Sequence, residues 1–282
     1  MDDGTIYVRG ASNTRPARAG EVLALVQRAR GGGKSPIDLD VEIVGSISRV
    51  ERVKEVLKRL YEFEEEKFSR PRKPAEDSSL PGLLVPTVFG RTQSPSPEER
   101  ARRLEVWRSD KPAHIEQGRK HFLGVALPGI GIRVSSRDRF VGKPHLIVTF
   151  HDCESFDYRL ADDADYSKVV EPIVPRQDPY GIGFDPSDLQ IAPRGYPVSW
   201  SNHGNNVEVT LTPESFRPNV PWTSDQDDYV LLARDPQADG VTVTWILTED
   251  GNDAVTRGEL KVPTGDLTDA ADLFKTAFFK DV

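Results

Sequence analysis

From Gly124 onward the chain breaks into short β-rich runs divided by turn clusters, at 130–134, 144–151, 197–201, 207–212, 228–234, 241–248 and 254–262. Runs of this length, closed by Gly, Asn, Asp and Pro, predict strands rather than helices. The dividers at 202–205, 235–240 and 249–253 carry hairpin-type residues, which favours antiparallel neighbours. Within 241–248, Val241, Val243, Trp245 and Leu247 share one face, while three threonines and Ile246 occupy the other. One side is predicted to be core and the other wet. Seven such strands predict an antiparallel immunoglobulin-like β-sandwich with Trp200 and Trp245 in its core. The single cysteine, Cys153, rules out the internal disulfide of antibody domains. A closing helix, capped by Asp266 or Thr268, is expected to carry an apolar stripe of Leu267, Ala271, Phe274 and Phe278, with Leu273 and Ala277, and to pin Phe278 and Phe279 against the body.

The first half reads differently. Residues 37–44 alternate apolar and acidic side chains, as a half-buried strand does. Ile47, Val50, Val53, Leu57, Leu60, Tyr61 and Phe68 then follow three- and four-residue steps, predicting a helix of about 22 residues with Ser46 or Ser48 near its start. Residues 69–97 are rich in proline and read as a wrapping arm. Ser96-Pro97-Glu98-Glu99 is a helix-start signature: a cap, proline at the first position and acids in the first turn. That helix is expected to break near Pro112 and to be followed by a short one at 113–122.

At the N-terminus, residues 4–9 alternate as a short strand, 10–14 supply turn chemistry, and Pro16 begins a predicted helix carrying Val22, Leu25, Val26 and Ala29 before Gly31-Gly32-Gly33. This segment, from Gly4-Thr5-Ile6-Tyr7-Val8-Arg9 through Ser12-Asn13-Thr14-Arg15-Pro16 to Glu21 and Leu25, resembles the closing part of the Schlafen AlbA-type domain. The resemblance implies a DNA- or nucleotide-binding bacterial regulator, of which this chain is the C-terminal portion, truncated or separately encoded. Residues 125–263 also resemble the sandwich found downstream of such domains in actinobacterial proteins, on Arg217-Pro218, Trp222-Thr223-Ser224-Asp225, 227–232 and the Trp245 strand. The predicted organisation is an α+β chain: 1–35 an AlbA-like tail, 36–70 a strand and amphipathic helix, 71–122 the arm and helices, and 123–282 the sandwich with its terminal helix.

Charge divides the chain as well. Residues 1–144 hold 27 Lys and Arg against 20 Asp and Glu, whereas the remainder is strongly acidic and the whole carries a net charge of −8. Nucleic acid would therefore be met by the basic N-terminal half. Arg9, Ser12, Asn13, Thr14 and Arg15, beside the predicted helix start, are the candidate anion- or nucleic-acid-binding residues. Asp2 and Asp3 after Met1 do not make a secretory signal, no apolar run is long enough for a membrane span, and a cytoplasmic location is expected.

Catalytic signatures are sparse. Gly31-Gly32-Gly33-Lys34-Ser35 lacks the spacing of a phosphate-binding loop, and no serine elbow or zinc-binding helix motif occurs. His151, Asp152, Cys153 and Glu154 cluster at a strand end, with His145 on the same strand, but adjacent strand residues face opposite ways. Asp157, Asp162, Asp163 and Asp165 form an acidic loop, and 172–186 is a Pro/Gly/aromatic segment. The expected function is a non-catalytic interaction or accessory module of a bacterial nucleic-acid-associated regulator, with no cofactor, a protein partner or the missing AlbA-like portion, and no membrane. The alternative is a metal-dependent hydrolase using His151, Asp152 and His203.

Overall fold

A computed structural model describes residues 7–9, 14–16, 37–70, 96–174 and 196–279. Strands β1 (Tyr7–Arg9) and β2 (Thr14–Pro16) pair as an antiparallel ribbon. Pro16, predicted to open a helix, instead sits in a strand. The helix expected after it, the Gly31–Ser35 stretch and most of the proline-rich arm lie outside the described residues.

The body is mixed α/β, with a large sheet folded into two layers in a sandwich-like manner. Strands β3 (Leu39–Gly45), β4 (Ile47–Glu51), β5 (Gly129–Ser136), β7 (Pro144–Phe150), β8 (Cys153–Asp157), β9 (Val198–His203), β10 (Asn206–Leu211), β12 (Trp222–Thr223), β13 (Tyr229–Ala233), β14 (Gly240–Glu249) and β15 (Asn252–Asp269) form one hydrogen-bonded network. One layer holds β3, β5, β12, β13 and β8, and the other runs β15-β14-β7-β10-β9. The short β6 (Val141–Gly142) and β11 (Ser215–Phe216) pair apart from it. All seven strands expected from the sequence are present. The pairing is not wholly antiparallel, because β4 runs parallel to both β13 and β15 and joins the layers.

Strand β13 explains how two cores share one sheet. Leu231 and Ala233 face the interior between the layers, with Ile132, Val148, Phe150, Val243 and Trp245. Val230 and Leu232 face the helices, with Leu57, Tyr61, Trp107, Phe122 and Phe274. A strand covered on both sides reads as a continuous apolar run, which is what 229–233 is. Burying each large apolar side chain of this kind contributes about 1.5–3 kcal/mol.

Among the described residues four helices complete the body: α1 (Val53–Ser69), α2 (Pro97–Ala126), the single-turn α3 (Tyr166–Val169) and α4 (Ala270–Phe278). Helix α1 is shorter than expected because Ile47–Glu51 is a strand. Ile47 is fully buried between the layers, Arg49 donates to the Gly265 carbonyl at 2.8 Å, and the ladder with β15 holds the segment extended. Neither Ser46 nor Ser48 caps the helix. Arg52 occupies the cap position with left-handed backbone (φ 61°) and no side-chain hydrogen bond to the helix, and its guanidinium pairs with Asp269.

Helix α2 starts at Ser96, whose hydroxyl accepts from the Glu99 N–H at 3.2 Å. It does not break at Pro112. That residue is exposed, so the carbonyl left without an amide partner faces solvent, while buried Trp107 on one side and Phe122 on the other hold the helix to the body. Tyr61 stacks on Trp107 at 5.6 Å, and its hydroxyl donates to the Val169 carbonyl at 3.2 Å. Helix α4 is capped by Asp269, which accepts from the Ala271 N–H at 2.9 Å, rather than by Asp266 or Thr268. Those two residues still belong to β15, extended by its pairing with β4. Leu267 is therefore an exposed strand residue. Phe278 stacks on Phe274 at 4.9 Å as expected, and Phe279 meets the same ring edge-on while half exposed.

The turns at 204–205 and 250–251 close hairpins as predicted, with Gly204 and Gly251 at positive φ. The segment 235–240 does not. Strand β13 is flanked by β8, β5 and β4, and β14 by β15 and β7, so this loop carries the chain from one layer to the other. Among the described residues no helix is long and apolar enough to cross a membrane.

Candidate interaction surface

The β1–β2 register sets Arg9 opposite Thr14 and Arg15 opposite Val8. The two arginines thus belong to a two-stranded ribbon, and the helix start predicted beside them lies outside the described residues. Ser12 and Asn13 lie outside the described residues.

The candidate metal ligands turn to separate partners. His151 follows β7, and its Nε2 lies 2.9 Å from the Thr244 hydroxyl. Asp152 forms the turn with left-handed backbone (φ 52°), its N–H donating to the Asn206 side-chain carbonyl at 3.2 Å. Cys153 is fully buried in the core between the layers, and that burial pushes its thiol up to about 12. Glu154 accepts two hydrogen bonds from Arg119, at 2.8 and 2.7 Å, with Arg234 at 3.7 Å. His145 and His203 are exposed, the latter at the far end of β9. Among the described residues no three His, Cys, Asp or Glu side chains converge as a ligand set. The strand beginning at Cys153 was hidden in the sequence, because its alternation starts inside a polar cluster. In the acidic loop, Asp165 caps α3 by accepting from the Ser167 N–H at 2.8 Å, while Asp162 and Asp163 lie in a single 3-10 turn. The segment 172–186 lies outside the described residues beyond Val174.

A different region gathers polar and aromatic groups that sequence reasoning did not connect. At the corner where β9 passes β8, the Asn202 side chain acts as a substitute strand: its carbonyl accepts from the Ser155 N–H at 2.9 Å and its amide donates to the Ser155 carbonyl at 3.0 Å. Trp200 stacks between Phe150 at 6.0 Å and Tyr229 at 5.1 Å, closing the gap between the layers. Just before β9, the Tyr196 hydroxyl donates to Asp228 and lies 3.2 Å from Asp225. Burial and the Asp228 hydrogen bond together hold that phenol well above its ordinary range. Residue types alone marked Trp200 as core and 202–205 as a turn, and only the fold brings Ser155, Tyr229 and Asp228 to them.

Strand β9 ends its layer. Among the described residues its one strand partner is β10, in the register His203 to Asn206, Ser201 to Glu208 and Ser199 to Thr210. The Thr212 N–H donates to the Pro197 carbonyl at 2.7 Å, fixing the odd-numbered residues as those bonded inward. The backbone groups of Val198, Trp200 and Asn202 therefore point away from the sheet. No protein family and no curated protein matches the chain.

Proposed function

We propose that the chain is a non-catalytic interaction or accessory module of a bacterial nucleic-acid-associated regulator, acting in the cytoplasm. In this reading it joins the closing segment of an AlbA-type domain to an immunoglobulin-like sandwich. The observation that carries it is the fate of the reactive side chains: His151, Cys153 and Glu154 each serve a separate structural partner. The same separation argues against the hydrolase alternative.

The charge pattern favours a protein partner over direct DNA contact. Arg102 and Arg103 share Glu99, Arg108 pairs with Glu65, Arg133 with Glu42 and Arg137 with Asp40. A phosphate would have to compete with each of these carboxylates, so the basic half offers fewer free cations than its composition suggests. The test is a titration of labelled duplex DNA at low and at physiological salt. The reading expects binding at low salt only. Affinity that survives physiological salt would make this chain a DNA-binding protein in its own right and end the accessory reading.

A further inference from the structure

We infer that β9 is a docking edge for an extended basic peptide, which adds to the sheet as one more antiparallel or parallel strand. The inference rests on the reading of the chain as an interaction module and names the surface and the partner's chemistry.

Among the described residues, the two outer strands of the layered sheet with the longest free edges are treated in opposite ways. β3 carries Asp40 and Glu42, tied across to Arg137 and Arg133, and charged side chains of this kind discourage another strand from pairing. β9, with the sequence Val-Ser-Trp-Ser-Asn-His, carries neither a lysine nor an acid and has no proline within it. Among the described residues, no strand bonds its alternate backbone groups at Val198, Trp200 and Asn202. The strand is also held rigid for docking, by the Trp200 stack on the inner side, the Asn202–Ser155 pair at one end and Tyr196 at the other. A pre-formed edge spares a ligand the entropy of ordering its template.

Charge selects the occupant. Glu208 lies beside Ser201 on the outer face, and Asp225 and Asp228 converge on Tyr196 where the strand begins. At the hairpin end, Arg234 is engaged by the Gly204 and Asn205 carbonyls and by Glu154. A second copy of β9 would bring these acidic groups against their own likeness, whereas a lysine- or arginine-bearing strand complements them.

The test uses the full chain, amide hydrogen exchange read residue by residue, and a short synthetic peptide of alternating lysine and valine. In the free chain the amides of Ser199, Ser201 and His203 are expected to be protected, and those of Val198, Trp200 and Asn202 to exchange quickly. Adding the peptide protects the second set, and added salt reverses the effect. Ser199 and Ser201 are exposed, so S199K/S201K leaves the fold intact and weakens peptide binding by about tenfold or more through like-charge repulsion. The inference is overturned if the lysine peptide leaves those three amides unprotected, or if an alternating glutamate and valine peptide protects them equally. It is also overturned if they are already protected in a self-associated species seen by sedimentation. Failure here with low-salt DNA binding intact removes the docking edge and leaves the module reading standing, whereas DNA affinity at physiological salt overturns that reading whatever β9 does.

Discussion

The guanidinium of Arg119 on α2 grips the carboxylate of Glu154 on β8 through two hydrogen bonds, and lies 4.9 Å above the ring of Phe156. Both side chains are more than four-fifths covered, so this pair ties the longest helix to the sheet in a poorly hydrated setting. Burial pushes the Glu154 carboxyl up, and the Arg119 hydrogen bonds and charge reverse that effect, leaving it below the ordinary range.

Breaking one side of this pair strands the other charge. Arg119→Ala is expected to lower stability by about 2–3 kcal/mol, measured by urea unfolding, whereas replacing both residues with apolar ones of similar volume costs far less. Because the folded carboxyl titrates below its unfolded value, the contribution is complete above the unfolded value and is lost as pH falls through the folded one. E154Q removes that acid-side slope.

His121 supplies a second acid-sensitive element. It is 4% exposed on α2, its Nε2 has no hydrogen-bond partner, and Phe278 lies against it at 6.3 Å. Burial first, then the charges of Arg159 and Lys168, lower its ionisation to about 4, with Asp165 and Asp163 opposing. The unfolded chain therefore binds more protons than the folded one between pH 6.5 and pH 4. Stability should fall by about 3 kcal/mol on descending through that window, and His121→Leu should flatten the loss. Thermal unfolding across a pH series decides it.

How much of this was legible in the sequence depends on how local the deciding force is. The face shared by Val241, Val243, Trp245 and Leu247 was readable because strand alternation is a property of the segment itself, and all four are buried. The start of α1 was not, because Ile47, Val50 and Val53 fit a helical period, whereas the strand turns Ile47 and Val50 to opposite faces and buries each in a different core. Pairing with Thr264 and Asp269, far along the chain, decided for the strand. Pro112 misled for a related reason: its local cost is real, but tertiary docking on both sides of it outweighs that cost. The Asn202–Ser155 contact had no signal at all, since neither residue type nor spacing announces a side chain standing in for a strand.

That contact has its own consequence. Asn202→Ala removes both partners of the buried Ser155 backbone groups and should cost about 1–3 kcal/mol. Amide exchange at Ser155 should quicken more than the global loss explains. Unchanged protection there would mean the pair is incidental.

Close packing around one glycine gives a steric test. A methyl group at Gly258 would lie 2.3 Å from the Trp245 ring on the neighbouring strand. Gly258→Ala should therefore displace the indole and destabilise by about 1–3 kcal/mol, with a change in tryptophan fluorescence. Gly251→Ala meets no side chain and should cost only about 1 kcal/mol, from its positive φ alone.

Among the described residues, His151, Cys153 and Glu154 are each committed to a structural partner. Metal content of the purified full chain, set against that of His151→Ala, tests this most directly. The account predicts no stoichiometric transition metal in either protein and the same stability to a chelator. One zinc per chain in the parent, lost in the variant, would contradict it.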